Sequence, residues 1–181
     1  MAKAWIEENI PSGSHILLQG EGSMRGAIQL NESKISLSEK YIRYKSIIDT
    51  IPNYHGNALK AVEIKMKNIK EPSYRIDYFF KNVWYGEHFR TDFMLGLLDL
   101  GILTVEEYKK IGIDYIVTAT YTAENGMKNL PDFYAFLKSL ENECRLIKVF
   151  RYQGPPAENR YPLINPEIKI YGIRKEWFDH K

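Results

Sequence analysis

The stretch Ile113-Asp114-Tyr115-Ile116-Val117-Thr118-Ala119-Thr120-Tyr121 limits the possible folds more than any other in the chain. It is rich in β-branched and aromatic residues, carries one charge, and follows a helical pattern that stops at Gly112. A short apolar run with such punctuation reads as a strand buried on both faces, as in the middle of an α/β sheet. The remaining segments make sense as layers packed on it.

Four further strands are predicted. His15–Gln19 follows the turn Pro11-Ser12-Gly13-Ser14. In the next, Tyr74, Ile76, Tyr78 and Phe80 alternate with Arg75, Asp77 and Phe79. Leu146–Phe150 and Pro166–Ile173 close the chain, and the loop between them predicts an antiparallel pair. Ala2–Ile10 reads as a helix that opens without a capping residue. A capping box, Ser36 to Glu39, opens a helix whose face is Leu37, Tyr41, Tyr44, Ile48 and Ile51. The next helix shows Leu59, Val62, Met66 and Ile69 on one side, a core stripe. Phe93–Leu100 reads as a short buried helix, and Thr104 to Glu107 is a second capping box. Asn129 caps, and Pro131 initiates, a helix with Phe133, Leu137 and Leu140 inward. This order predicts one domain over residues 1–181. Its expected class is a three-layer α/β/α sandwich, a mostly parallel sheet with an antiparallel C-terminal edge.

Composition excludes several functions. With 181 residues, 44% of them hydrophobic, the chain can bury a core without disulfide or metal staples. A formal charge of +2 over the whole chain is too small to argue for nucleic acid or an anionic membrane surface. Cys144 is the single cysteine, so no internal disulfide forms and no metal-ligand spacing exists. No signal-peptide pattern is present, and no segment reaches the roughly 18 apolar residues of a spanning helix. The chain as given is expected to be soluble.

Three loops have ligand-like chemistry. Gly20-Glu21-Gly22-Ser23-Met24-Arg25-Gly26 follows the first strand, where dinucleotide and methyl-donor folds place a phosphate or ribose loop. Its spacing departs from the strict fingerprint, and no acidic residue closes a second strand about 20 positions on. Glycines also punctuate ordinary turns. Lys81–Thr91 gathers Trp84, Tyr85, Glu87, His88 and Arg90 with Asp92 close by, a mixture that can line a pocket or simply tie down a long loop. Thr122–Leu130 lies beyond the carboxyl end of the central strand, the side that meets ligands in open α/β sheets. Candidate ligand-binding residues are Glu21, Trp84, His88, Arg90, Tyr121 and Glu124. The four histidines lie in unrelated segments and no paired carboxylates stand at diagnostic spacing. No catalytic residue, metal or cofactor is predicted.

The frame of the chain resembles a known family. Ala2-Lys3-Ala4-Trp5-Ile6, then Asn9-Ile10-Pro11-Ser12-Gly13-Ser14, is similar to the juncture after the last membrane helix of large polytopic glycosyltransferases. These are the protein O-mannosyltransferase and aminoarabinose-transferase type, the GT-C class. Their soluble C-terminal domain also has a Tyr-x-Ile-x-Tyr strand, here Tyr74–Tyr78, and a Gly-x-x-Tyr-Ile-Val strand, here Gly112–Val117. A Phe-Tyr-x-x-Leu helix (Phe133–Leu137) and a Pro-x-Ile-x-Ile-Tyr strand (Pro166–Tyr171) follow, so the likeness runs nearly end to end.

The resemblance implies an accessory domain on the extracytoplasmic face of a cell membrane, with residues 1–10 the cut end of a helix leading from the membrane. Its partner would be the membrane-embedded transferase part of the same full-length chain, which moves sugar from a polyprenyl-phosphate carrier to an acceptor. In that setting the domain would touch a polyprenyl-phosphate sugar or a glycan acceptor, or simply stabilise the membrane part, and would not bind nucleic acid. The acidic catalytic motif of those enzymes belongs to the membrane portion, so no catalytic residue carries over. Two other readings stay open: a self-standing nucleotide- or small-molecule-binding protein using Gly20–Gly26, and a glycan-binding module.

Overall fold

The computed structural model of the chain describes residues 1–19, 28–49, 57–79, 100–120, 131–151 and 167–173. In chain order its elements are α1 (Ala2–Asn9), β1 (His15–Leu18), α2 (Lys34–Ile48), α3 (Asn57–Lys67) and β2 (Arg75–Tyr78). Then come α4 (Val105–Lys110), β3 (Tyr115–Thr120), α5 (Pro131–Glu143), β4 (Arg145–Phe150) and β5 (Glu167–Gly172). The strands form one mixed sheet in the order β2-β1-β3-β5-β4. Both neighbours of β1 run parallel to it, and β5 runs antiparallel to β3 and to β4. The α/β class and the antiparallel last pair agree with the sequence. The order adds that β5 is interior and β4 is the outermost strand at that end.

Strand β3 is the predicted centre, with every side chain from Tyr115 to Ala119 buried. Strand alternation divides the core. Leu17, Ile116 and Tyr171 pack with Tyr108 of α4 and with Phe136 and Leu140 of α5. Ile16, Ile76, Val117 and Ile170 point the other way and pack with Ile6 and Ile10. The stripes of α2 and α3 meet each other: Leu37, Tyr44 and Val62 form a third cluster, with Leu59 and Met66 against it.

Gly112 stops α4 by a Schellman closure. The Ile113 N–H donates to the Tyr108 carbonyl and the Gly112 N–H to that of Lys109. Gly112 itself has φ +82°, a left-handed conformation that glycine adopts without a Cβ penalty. At the other end the predicted capping box is present, with Thr104 Oγ1 accepting the Glu107 N–H and the Glu107 carboxylate accepting the Thr104 N–H.

The start of α2 differs from expectation. Ser33, not Ser36, is the cap: its Oγ accepts the Ser36 N–H at 3.3 Å, and its carbonyl accepts the Leu37 N–H. Ser36 instead serves β2, accepting the Ile76 N–H at 3.1 Å and lying 3.4 Å from the Ile76 carbonyl. Beside it the Tyr74 N–H donates to the Asn31 carbonyl and the Ser33 N–H to the Tyr74 carbonyl, while the Leu100 N–H donates to the Tyr78 carbonyl. The outer edge of β2 is thereby occupied, which removes a template for pairing with another chain. At the far edge, β4 carries Arg145 and Lys148 and a register shift between Leu146 and Lys148, two other ways to blunt an edge.

No helix among the described residues is long and apolar enough to cross a membrane. The helix expected over Phe93–Leu100, apart from Leu100, lies outside the described residues, as do Ile51 and Asn129.

Candidate functional site

The strand order locates the place where a ligand would be met. From β1 the chain proceeds to β2 on one side, and from β3 to β4 on the other, so β1 and β3 flank a topological switch point. In open α/β sheets the crevice beyond the carboxyl ends of strands at such a point is the usual ligand position. Here the β1–β3 seam is held past the last residue of β1. The Gln19 N–H donates to the Val117 carbonyl at 3.0 Å, and Gln19 Oε1 accepts the Ala119 N–H at 2.9 Å. A buried glutamine side chain thus extends the ladder by one bond. On the other side of β1 the Phe79 N–H donates to the Leu18 carbonyl at 3.2 Å.

All six candidate residues lie outside the described residues: Glu21, Trp84, His88, Arg90, Tyr121 and Glu124. Their segments do follow, in sequence, the carboxyl ends of three neighbouring parallel strands. Gly20–Gly26 follows β1, Lys81–Thr91 follows β2, and Tyr121 with Glu124 follows β3. The sequence suggested three separate loops; the topology starts all three from the carboxyl ends of neighbouring parallel strands.

The densest chemistry among the described residues lies elsewhere. His15 Nε2 stands 2.8 Å from Asp77 Oδ2, and Arg43 Nη1 of α2 stands 3.5 Å from Asp77 Oδ1. Burial by itself raises the Asp77 carboxyl, but the His15 hydrogen bond and the charges of His15, Arg43 and Lys40 outweigh it and hold it below the usual range. Asp77 is therefore the acceptor and the Nε2 N–H the donor. The His15 backbone N–H donates to Asp114 Oδ2 at 2.9 Å, and His15 Nδ1 is buried with no hydrogen-bond partner among the described residues. A His–Asp pair can serve acid–base chemistry, yet both side chains here are under 10% exposed and His15 opens β1 at its amino end. This constellation clamps β1, β2 and α2 together and is closed to a substrate. Sequence reasoning missed the partners of His15, although Asp77 at an alternating strand position was a readable signal.

A second charge cluster lies at the entrance to α2. Glu32 is paired with Lys40 and, at 3.0 Å, with Lys65. Its burial raises the carboxyl and the two lysines more than reverse the effect. Lys40 also lies 5.1 Å from the centre of the Tyr78 ring. Beside Glu32 a cleft of about 230 Å³ opens between Leu37, Ile64 and Ile69. That is smaller than the roughly 300–1,000 Å³ of ordinary small-molecule pockets. No group of three His, Cys, Asp or Glu among the described residues is placed to hold a metal ion.

No protein-family model matches the chain, and no curated protein matches it.

Proposed function

We propose that the chain is the extracytoplasmic accessory domain of a polytopic membrane glycosyltransferase, with a three-layer α/β/α build, serving a transferase that uses a polyprenyl-phosphate sugar. The observation that carries this reading is the seating of α1. The resemblance puts the Trp5–Ser14 segment just after a membrane helix, and here that segment is built into the sheet. Ile6 and Ile10 are buried in the core, and the Tyr74 hydroxyl lies 3.3 Å from the carbonyls of both. Trp5 meets the Phe150 ring edge-on with centroids 6.1 Å apart, and the Gly13 N–H donates to the Ser73 carbonyl. Ser12 Oγ lies 2.6 Å from the Glu71 carboxylate. A helix fixed at so many points would hold the domain at a set angle to a preceding membrane segment, which is what a positioning role requires.

The test is the reading frame upstream of the Met1 codon in the source genome. Several hydrophobic spans with acidic residues in their first loop are expected, and deleting residues 15–173 from that full-length protein should reduce sugar transfer. A frame closed just upstream overturns the reading.

The switch point between β1 and β3 favours a second reading, a small-molecule or nucleotide binder. Binding of a nucleotide or methyl donor, lost in Gly22→Asp, would support it. Glycan binding by the domain, weakened by Trp84→Ala, would instead support a glycan-binding role.

A further inference from the structure

We propose that Gln19 is the recognition residue of a small-ligand site at the carboxyl end of the β1–β3 seam. Its side-chain NH2 group donates there to an uncharged oxygen acceptor, a nucleobase carbonyl or a sugar hydroxyl. This rests on the second reading above, a binder at the switch point, and names the group that meets the ligand.

The ladder between β1 and β3 reaches Gln19 in regular parallel form, with the Gln19 N–H on the Val117 carbonyl. In a continuing ladder the main-chain carbonyl of Gln19 would take the Ala119 N–H next. The side chain takes it instead, Oε1 accepting that N–H at 2.9 Å. The main chain is thereby free to leave the sheet at the residue where the carboxyl-end crevice begins. The carboxamide also has a single possible orientation, because a backbone N–H is met by Oε1 and never by the NH2 group. Nε2 and its two N–H donors are fixed beside the seam, and among the described residues nothing accepts from them.

Gln19 is only 8% exposed, so this donor pair does not belong to a side chain free in water. A buried donor without an acceptor is costly, and a ligand oxygen would satisfy it. The surroundings indicate what kind of oxygen. Leu18, Val117, Thr118 and Ala119 are buried and uncharged. Lys169, the register partner of Thr118 on β5, is taken by Glu141 at 3.2 Å and Glu167 at 3.4 Å. A neutral donor in this setting suits a neutral acceptor, whereas a phosphate is held best by charged donors.

The experiment is a titration of the 181-residue chain followed by proton–nitrogen correlation spectra, with uridine, methyl mannoside and inorganic phosphate as probes. The Gln19 side-chain amide is the pair of signals that Gln19→Glu removes. Uridine or methyl mannoside should shift that pair, and whichever does so names the source of the oxygen; phosphate should leave it unmoved. Gln19→Glu keeps an oxygen on the Ala119 N–H and exchanges the donor for a second acceptor. Binding should therefore fall roughly tenfold, the size of one lost hydrogen bond, while the Ala119 amide stays slow to exchange with deuterium. Gln19→Leu removes both contacts, so it should lose binding and speed exchange at Ala119. A pair unmoved by both neutral probes, an equal shift with phosphate, or wild-type affinity in Gln19→Glu overturns the proposal. Nucleotide binding that is lost in Gly22→Asp but leaves the Gln19 pair unmoved also overturns it, with the second reading still standing.

Discussion

His15 and Asp77, 62 positions apart in sequence, form a buried pair at 2.8 Å that joins the first two parallel strands, and Arg43 brings α2 to the same carboxylate. Three elements thus share one charged contact. Because Asp77 is held below the usual carboxylate range, its contribution to stability is complete above its unfolded value near 4 and is lost as pH falls through the folded value. Asp77→Asn should therefore lose about 3 kcal/mol at neutral pH, the scale for breaking a buried pair. It should also flatten the acid limb of the stability curve. Urea unfolding of both proteins at pH 7 and pH 3 checks this; parallel losses on acidification would refute it.

Ser36→Ala leaves the Ile76 N–H and carbonyl at the β2 edge without their hydroxyl partner. The expected destabilisation is about 1–3 kcal/mol, the range for a buried group left unsatisfied. The urea midpoint should fall with the slope unchanged. Light scattering should rise as well, because the edge is opened to other chains.

Tyr108 closes the turn before α4: its hydroxyl donates to the Gly101 carbonyl at 2.6 Å and accepts the Leu103 N–H at 3.1 Å. Burial pushes its ionisation up to about 12. Since the raised value belongs to the folded state, stability should fall as pH rises from about 10, where the unfolded tyrosine ionises, toward 12. Tyr108→Phe should cost about 1–2 kcal/mol. It should also remove one late-titrating group from the alkaline ultraviolet titration.

Cys144 is half-buried at the end of α5, and burial, with Glu143 adding to it, raises its thiol to about 11. Thiolate at pH 8 should be on the order of 100-fold scarcer than for a free cysteine. Alkylation by iodoacetamide should be correspondingly slow in the folded protein and ordinary in urea. Equal rates in the two states would contradict the burial.

Much of the fold is legible because its signals are local. The turn at Gly112, the Thr104 box and the stripes of α2, α3 and α5 each follow from residues within a few turns of one another. The Ser36 box misleads for a physical reason. Ser33 stands three residues earlier with the same chemistry, and the choice between them depends on Ile76, on a strand formed 40 residues later. The candidate site was legible only as loop composition. That its segments follow three neighbouring strands emerges only when the sheet is ordered.

By itself, then, the sequence determines the type and rough limits of the elements, the burial of Tyr115–Ala119, and the antiparallel last pair. Backbone propensity, caps and periodicity act over a few residues and need no partner. The strand order with its switch point, the interior position of β5, the second role of Ser36 and the His15–Asp77–Arg43 contact were decided by tertiary structure. Each depends on side chains meeting across a packed core, where burial sets the strength of a hydrogen bond or charge and sequence distance has no influence.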